Sequence, residues 1–345
     1  MHQILQTVTQ EMTNVFLLSV GAFLLAMLLT PIYTFFAYRY RFWKKQRSTS
    51  TDGKALKIFT KLHAAKFQRN IPTMAGIIGV VSIAVVTLLF NLDRAETWLP
   101  LAALVGGGVV GLLDDIINVR GLGGGVAGLR SGVKFLLITA LGVGLGWFFF
   151  AKLGIDSFHV PFFGEVAIGW LIIPLFTFAV VATGNAVNIS DGLDGLAGGL
   201  LALSFATFGG IALLQGNVML AGFCFTVVGA LLSYLWFNIY PARFFMGDVG
   251  SFAYGVSLGV VAMLTDSLLL LPVIGLLFVI EAGSSLVQIT SKKLFGKKIF
   301  LSAPIHHHLE AKGWPETKVT MRFWVIGCVM AFVGVMLAIA GGHIA

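Results

Sequence analysis

Ten long apolar runs divide this chain of 345 residues, at about 15–38, 71–91, 99–117, 133–150, 166–187, 193–214, 219–237, 249–264, 268–289 and 323–339. A helix needs roughly 20 apolar residues to cross the ~30 Å hydrocarbon core of a bilayer, where only helices and closed barrels satisfy their own backbone groups. Ten runs separated by polar connections therefore predict an all-α polytopic integral membrane protein of about ten transmembrane helices, forming one transmembrane domain over residues 1–345. With 57% hydrophobic and only 11% charged residues, the chain cannot cover the surface of a water-soluble domain. The first run is too long for a signal peptide and has no Lys or Arg ahead of it, so it is expected to persist as a span. Cys224 and Cys328 both fall within runs and are expected to be buried packing thiols.

Ten spans place both termini on one side. With that parity, all but two of the 23 Lys and Arg lie on the opposite side, Arg94 and Lys152 being the exceptions. By the positive-inside rule the basic side is cytoplasmic and both termini are periplasmic or extracellular. The net charge of +8 then reads as topology and contact with anionic lipid, not as a nucleic-acid surface.

The polar motifs inside this apolar chain are the candidates for chemistry, because ionisable groups at a membrane boundary are costly unless they work. The third run ends in GLLDDIINV, with Asp114 and Asp115 adjacent. Neighbouring helical residues point about 100° apart, so one carboxylate is expected to face a site and the other to orient it, bind a cation or face headgroups. Lys134 starts the fourth run, within reach of the same pocket. The stretch 185–199, NAVNISDGLDGLAGG, spaces Asp191 and Asp194 three apart. With a helix from Leu193, Asp191 stands near the N-cap and Asp194 in the first turn, where they either cap the helix or line a pocket. Asp248 lies between glycines in WFNIYPARFFMGDVGS, at the start of the eighth run. Glycines let the backbone approach a ligand, helix starts favour phosphate, and a hard cation is held by one or two carboxylates, so Asp248 is the metal-ligand candidate.

Glu281, Ser285 and Gln288 form a polar stripe on the ninth run, and His306, His307 and His308 follow it in PIHHHLEAKGWPE. Three consecutive imidazoles cannot easily turn to one metal, and no second cluster has zinc-like spacing, so hydrogen bonding to phosphate suits them better. Segment 154–165 is expected to form a short hairpin on the outer side, with His159 at its surface. All the other motifs fall on the cytoplasmic side. A transporter would instead place its charged groups near the midplane. Carboxylates, helix-start glycines and cationic donors at one face describe phosphoryl chemistry between a soluble substrate and a lipid.

Through LLDD, NxxDGLDGLAGG and FMGDVGS the chain resembles the polyprenyl-phosphate N-acetylhexosamine-1-phosphate transferases. EAGSSLVQITSKK and PIHHHLEAKGWPE narrow the resemblance to the phospho-N-acetylmuramoyl-pentapeptide transferases among them, over nearly the whole chain. The resemblance implies transfer of phospho-MurNAc-pentapeptide from UDP-MurNAc-pentapeptide to undecaprenyl phosphate, with Mg²⁺, giving lipid I and UMP. It implies a multi-pass protein of the bacterial plasma membrane, acting as a homodimer. It makes Asp248 the magnesium ligand and Asp114 the base or nucleophile, with Asp115 in the catalytic group. Asp191 and Asp194 then belong to the nucleotide pocket, Phe245 stacks on uracil, and Asn188 and Asn238 lie nearby. Lys134 and the three histidines contact the diphosphate. The sequence departs from the family in KFQRNIPTMAG, where Lys66 stands two positions early and Gln68 takes the usual place of the lysine. It departs again in DDIINVRG, where Arg120 is the cation that follows. Direct attack by the lipid phosphate and an aspartyl-phosphate intermediate on Asp114 are both compatible with these residues.

Overall fold

The computed structural model describes residues 2–43, 70–122 and 128–343. Lys66, with the rest of the basic segment 44–69, and residues 123–127 of the glycine-rich loop lie outside the described residues. Among the described residues, twelve α-helices and one hairpin follow in order: α1 (His2–Arg39), α2 (Gly76–Phe90), α3 (Trp98–Arg120), α4 (Ser131–Leu153), β1 (Ser157–Val160), β2 (Gly164–Ala167), α5 (Ile172–Ser190), α6 (Leu196–Leu214), α7 (Val218–Asn238), α8 (Gly247–Leu264), α9 (Leu271–Ile274), α10 (Leu276–Phe295), α11 (Ile305–Ala311) and α12 (Glu316–Ala340).

Among the described residues, eight helices are long and apolar enough to cross a membrane, and the α9–α10 pair makes a ninth if it is counted as one broken span. The expected second span forms only the 15-residue α2, about 22 Å at 1.5 Å per residue, short of a full crossing. The expected ninth span is bent by 81° between α9 and α10. Pro272 lies in the first turn of α9 and Gly275 ends it, which fits proline's tolerance at a helix start and not in an interior. The expected fifth span begins later than 166, because its first residues pair in the hairpin, Ser157 opposite Ala167 and Val160 opposite Gly164. Large apolar side chains such as Phe16, Leu28, Phe90, Trp236 and Phe332 stand exposed on the outer surface. In water such a surface would aggregate, whereas lipid solvates it. The chain is an all-α multi-pass membrane protein with one small hairpin.

α8 is the central element: 94% of its span is buried, and it packs most extensively on α3 and α5. α1 lies along α7, and α6 between α7 and α12. Cys224 is buried as expected, but Cys328 is exposed, because it lies on the outward side of α12. The chain order brings the ends of α3, α5, α7 and α10 and the starts of α4, α6, α8 and α12 to one end of the bundle. That is the end the charge distribution assigns to the cytoplasm. The hairpin, the 265–267 turn and the C-terminal end of α12 meet at the other. There His159 is buried, unlike the surface residue expected, because its ring Nε2 donates to the Gly341 carbonyl at 2.8 Å.

Candidate active site

At the end of α3 both carboxylates turn inward: Asp114 is 2% exposed and Asp115 fully buried. The expectation that only one could face the site is corrected by what surrounds the helix end. The start of α4 covers one side and the start of α8 the other, so two directions about 100° apart are both interior. Asp114 accepts the Leu129 amide at 2.8 Å, and Asp115 accepts the Val249 amide at 3.0 Å. Lys134, in the first turn of α4, reaches Asp248 at 2.7 Å and Asp114 at 3.1 Å. Carboxylate oxygens of Asp114, Asp115 and Asp248 lie within 4.8 Å of one another.

This donor set fits a hard divalent cation. Three carboxylates and one ammonium leave about two negative charges in a buried cluster, and buried charge is tolerated only when compensated. Oxygen ligands from carboxylates suit Mg²⁺, which keeps waters for the rest of its shell.

The position of Asp248 depends on a backbone strap. The Phe245 amide donates to the Pro72 carbonyl at 2.8 Å, while the Ala75 and Gly76 amides donate to Phe245 and Met246 carbonyls at 3.0 and 2.9 Å. The Tyr33 hydroxyl also donates to the Thr73 carbonyl. Segment 72–76 is thus part of the frame that holds the FMGD turn, a role not inferred from IPTMAG in the sequence. Phe244 is packed into the core, whereas Phe245 is half-buried.

The 188–195 loop is built differently from the sequence reading. Helix α6 starts at Leu196, three residues later than expected, because Gly195 takes the left-handed conformation with φ 77°, which few other residues hold cheaply. Asp191 is therefore the C-cap residue of α5 and half-buried. Asp194 is buried and its carboxylate accepts the Ala242 amide at 3.0 Å. Its own amide donates to Glu316 at 2.6 Å, a residue the sequence reading missed although Pro-Glu at a helix start is a recognisable signal. Asn238 bridges the loop and the strap, accepting from Gly195 at 2.9 Å and donating to the Phe244 carbonyl at 2.8 Å. Asn188 donates to Ser251 at 2.8 Å, one turn beyond Asp248.

The histidines close the site from α11. His306 Nδ1 lies 2.7 Å from Glu281 of α10, both side chains essentially buried. His307 Nδ1 lies 2.7 Å from Glu310, and His308 Nδ1 accepts the Leu301 amide at 3.1 Å. Gln288 accepts the amides of Ile299 and Phe300, each at 3.0 Å, and so fixes the connection to α11. Ser284 of the same helix is the buried serine, in place of Ser285 in the expected stripe. The His306 ring stands against Gly192: a Cβ there would come 2.3 Å from its Nε2. Burial holds the His307 ring below its ordinary value of 6.5, with the neighbouring His306 acting in the same direction. The structure thus joins Asp114, Asp115, Lys134 and Asp248 directly. It links Asn188, Asp191, Asp194, Asn238 and the three histidines to them through contacts of one loop cluster.

Residues 97–266, the segment from α3 through α8, match the family described as glycosyl transferase family 4. A phospho-N-acetylmuramoyl-pentapeptide-transferase of Chloroflexus aggregans is 38% identical over 96% of this chain and 92% of its own length. One from Chloroflexus aurantiacus is 39% identical with the same coverage. One from Geobacillus thermodenitrificans is 38% identical over 92% of this chain and 96% of its own. With identity of that order along almost the full length of both partners, the chain belongs to the phospho-N-acetylmuramoyl-pentapeptide transferase family.

Proposed function

We propose that this protein transfers phospho-MurNAc-pentapeptide from UDP-MurNAc-pentapeptide to undecaprenyl phosphate, giving lipid I and UMP, at the cytoplasmic face of the bacterial plasma membrane. The observation that carries this reading is the buried trio Asp114, Asp115 and Asp248 with Lys134 between two of them, at the bundle end where a lipid and a nucleotide can meet. Asp248, with Asp114 and Asp115 beside it, would hold Mg²⁺, which would supply neutralisation of the diphosphate charge and stabilisation of the departing nucleotide.

The chain's own residues supply the rest. Asp114 takes the proton of the polyprenyl phosphate, and Lys134, in contact with it at 3.1 Å, attracts the incoming anion. An oxygen of the lipid phosphate attacks the phosphorus attached to the sugar, the bridging bond to the uridine phosphate breaks in line, and UMP leaves. Asp115, fixed on the Val249 amide, positions the start of α8. Phe245 stacks on uracil beside Asp191 and Asn188. Asp194 and Asn238 hold the loop that shapes this pocket, since both spend hydrogen bonds on backbone. His306, His307 and His308 line the diphosphate. An apolar groove of about 430 Å³, with Leu29, Ile32, Phe36, Ile77 and Ile116 in its wall and Arg120 at its rim, takes the first isoprenes of the lipid. The working unit is a homodimer.

The test is product identity. Purified protein supplied with both substrates and Mg²⁺ releases UMP in step with lipid I, and neither forms without the lipid. Release of UDP would mean that the bond broken is at the sugar carbon, as in an ordinary glycosyl transfer, and would refute the assignment.

A further inference from the structure

A second cluster of metal-ligating side chains sits at the opposite end of the bundle. His159 of β1, Glu165 of β2 and Asp266 of the turn after α8 present ligand atoms within 4.8 Å of one another. Among the described residues neither carboxylate pairs with a Lys or Arg; the two carboxyl groups hydrogen-bond each other, and Glu165 also faces His159. We propose that this cluster is a structural site for a divalent transition-metal ion of the Zn²⁺ class, which clamps the hairpin, the 265–267 turn and the C-terminal end of α12 together.

Three observations bear on a ligand. His159 Nε2 donates to the Gly341 carbonyl at 2.8 Å, which fixes the tautomer and leaves Nδ1 as a lone pair in the neutral ring. That lone pair faces Glu165 Oε1 at 3.3 Å. Two acceptors that close need a positive centre between them, which a proton on Nδ1 or a metal ion supplies. Zinc bonds of about 2.0–2.1 Å at tetrahedral angles place neighbouring ligand atoms about 3.3 Å apart. Ligating histidines commonly donate their other nitrogen to a carbonyl, as here.

The second observation is His343. It is 9% exposed, both ring nitrogens are buried, and neither has a hydrogen-bond partner among the described residues. Its ring centroid is 4.1 Å from that of His159. A buried imidazole with no partner is costly; it stands beside the three residues whose ligand atoms converge, and a turn of its ring toward them would complete a two-histidine, two-carboxylate set. Third, the supporting shell is built: Ser157 donates to Glu165 Oε2 at 3.0 Å, and the His159 amide donates to Asp266 at 2.8 Å. Glu165, with its side chain about half exposed, leaves an entry path for the ion.

The test uses full-length detergent-purified protein, stripped with chelator, equilibrated with zinc sulfate, desalted and assayed by elemental analysis. Wild type retains one zinc per chain, and so does Asp248→Asn, which disables the other carboxylate cluster. Glu165→Gln, an exposed conservative change that leaves the fold intact, binds zinc at least about tenfold more weakly, and so does His343→Gln. Both variants lose the zinc-dependent rise in melting temperature and keep wild-type transfer activity. No stoichiometric zinc in wild type would overturn the proposal. So would zinc retained with unchanged affinity by both variants, or zinc lost on Asp248→Asn.

Discussion

Lys134→Met isolates the electrostatics of the active site, because it keeps the unbranched stem near the Phe252 ring, 5.4 Å from the present ammonium, and deletes only the charge. The ammonium stands 2.7 Å from Asp248 and 3.1 Å from Asp114, and its side chain is 19% exposed. At an effective dielectric constant of about 20, contacts of this length are each worth about 5–6 kcal/mol of attraction. Desolvation offsets much of that, and removing one partner of a buried pair typically costs about 3–5 kcal/mol. The cluster would go from about two uncompensated negative charges to three. In chelator the variant should therefore melt several degrees below wild type. A divalent cation that binds only the folded state stabilises it by about 2.7 kcal/mol at a hundred times its dissociation constant, so magnesium should raise the variant's melting temperature far more than wild type's. Turnover should stay low even when stability is recovered, since the ammonium that attracts the phosphate is gone. The assay is a melting curve followed by intrinsic fluorescence across a magnesium titration. Equal melting of variant and wild type in chelator, or equal shifts with magnesium, would refute the charge argument.

Asp114→Asn and Asp248→Asn should each leave under about a hundredth of the wild-type rate of UMP release, the scale on which loss of a general base acts, with unchanged elution on size exclusion. Phe245→Ala should weaken UMP binding by roughly tenfold or more, as lost base stacking of about 1–3 kcal/mol does, without lowering the melting temperature. Asp194→Ala should lower both, because its carboxylate carries the Ala242 amide; calorimetry with UMP separates the two outcomes. Burial holds His307 below 6.5, so folding favours the neutral ring. The stability it contributes is complete above the unfolded value of about 6.5 and lost as pH falls through the lower folded value. Acidification from pH 7 to about pH 5 should destabilise wild type more than His307→Gln, and identical slopes would dismiss the effect.

The membrane class and the gathering of motifs at one end were legible, because hydrocarbon demands long apolar runs and parity then sorts every connection. The bend at Gly275 and the shortness of α2 were not, since hydropathy records the composition of a run and not its backbone path. Asp114 and Asp115 show another limit: their adjacency suggested opposed roles, yet neighbouring helices on two sides bury both. The delayed start of α6 rests on one glycine's dihedral angle, and Glu281 finds His306 across 25 residues. His159 was misplaced because what buries it, Gly341, lies 182 residues away. Local pattern carries no information at that separation.

Backbone chemistry explains why the acidic residues collect at the bundle ends. Within a transmembrane helix every amide is spent on its own helix, and a carboxylate there finds no donor. Amides are unspent only in first turns and in connections. Asp115 takes Val249 from the first turn of α8, Asp114 takes Leu129 just before α4, and Asp194 takes Ala242 of the strap. At the other end Asp266 takes His159, and Asp93 takes Ala95 and Glu96. Asp93 caps its own turn, but each of the others is anchored through one oxygen on an amide from a different segment, so its position registers how two segments meet. A site assembled this way is sensitive to the relative placement of α3, α4 and α8, and substitutions at their contacts should reach the chemistry without touching a substrate.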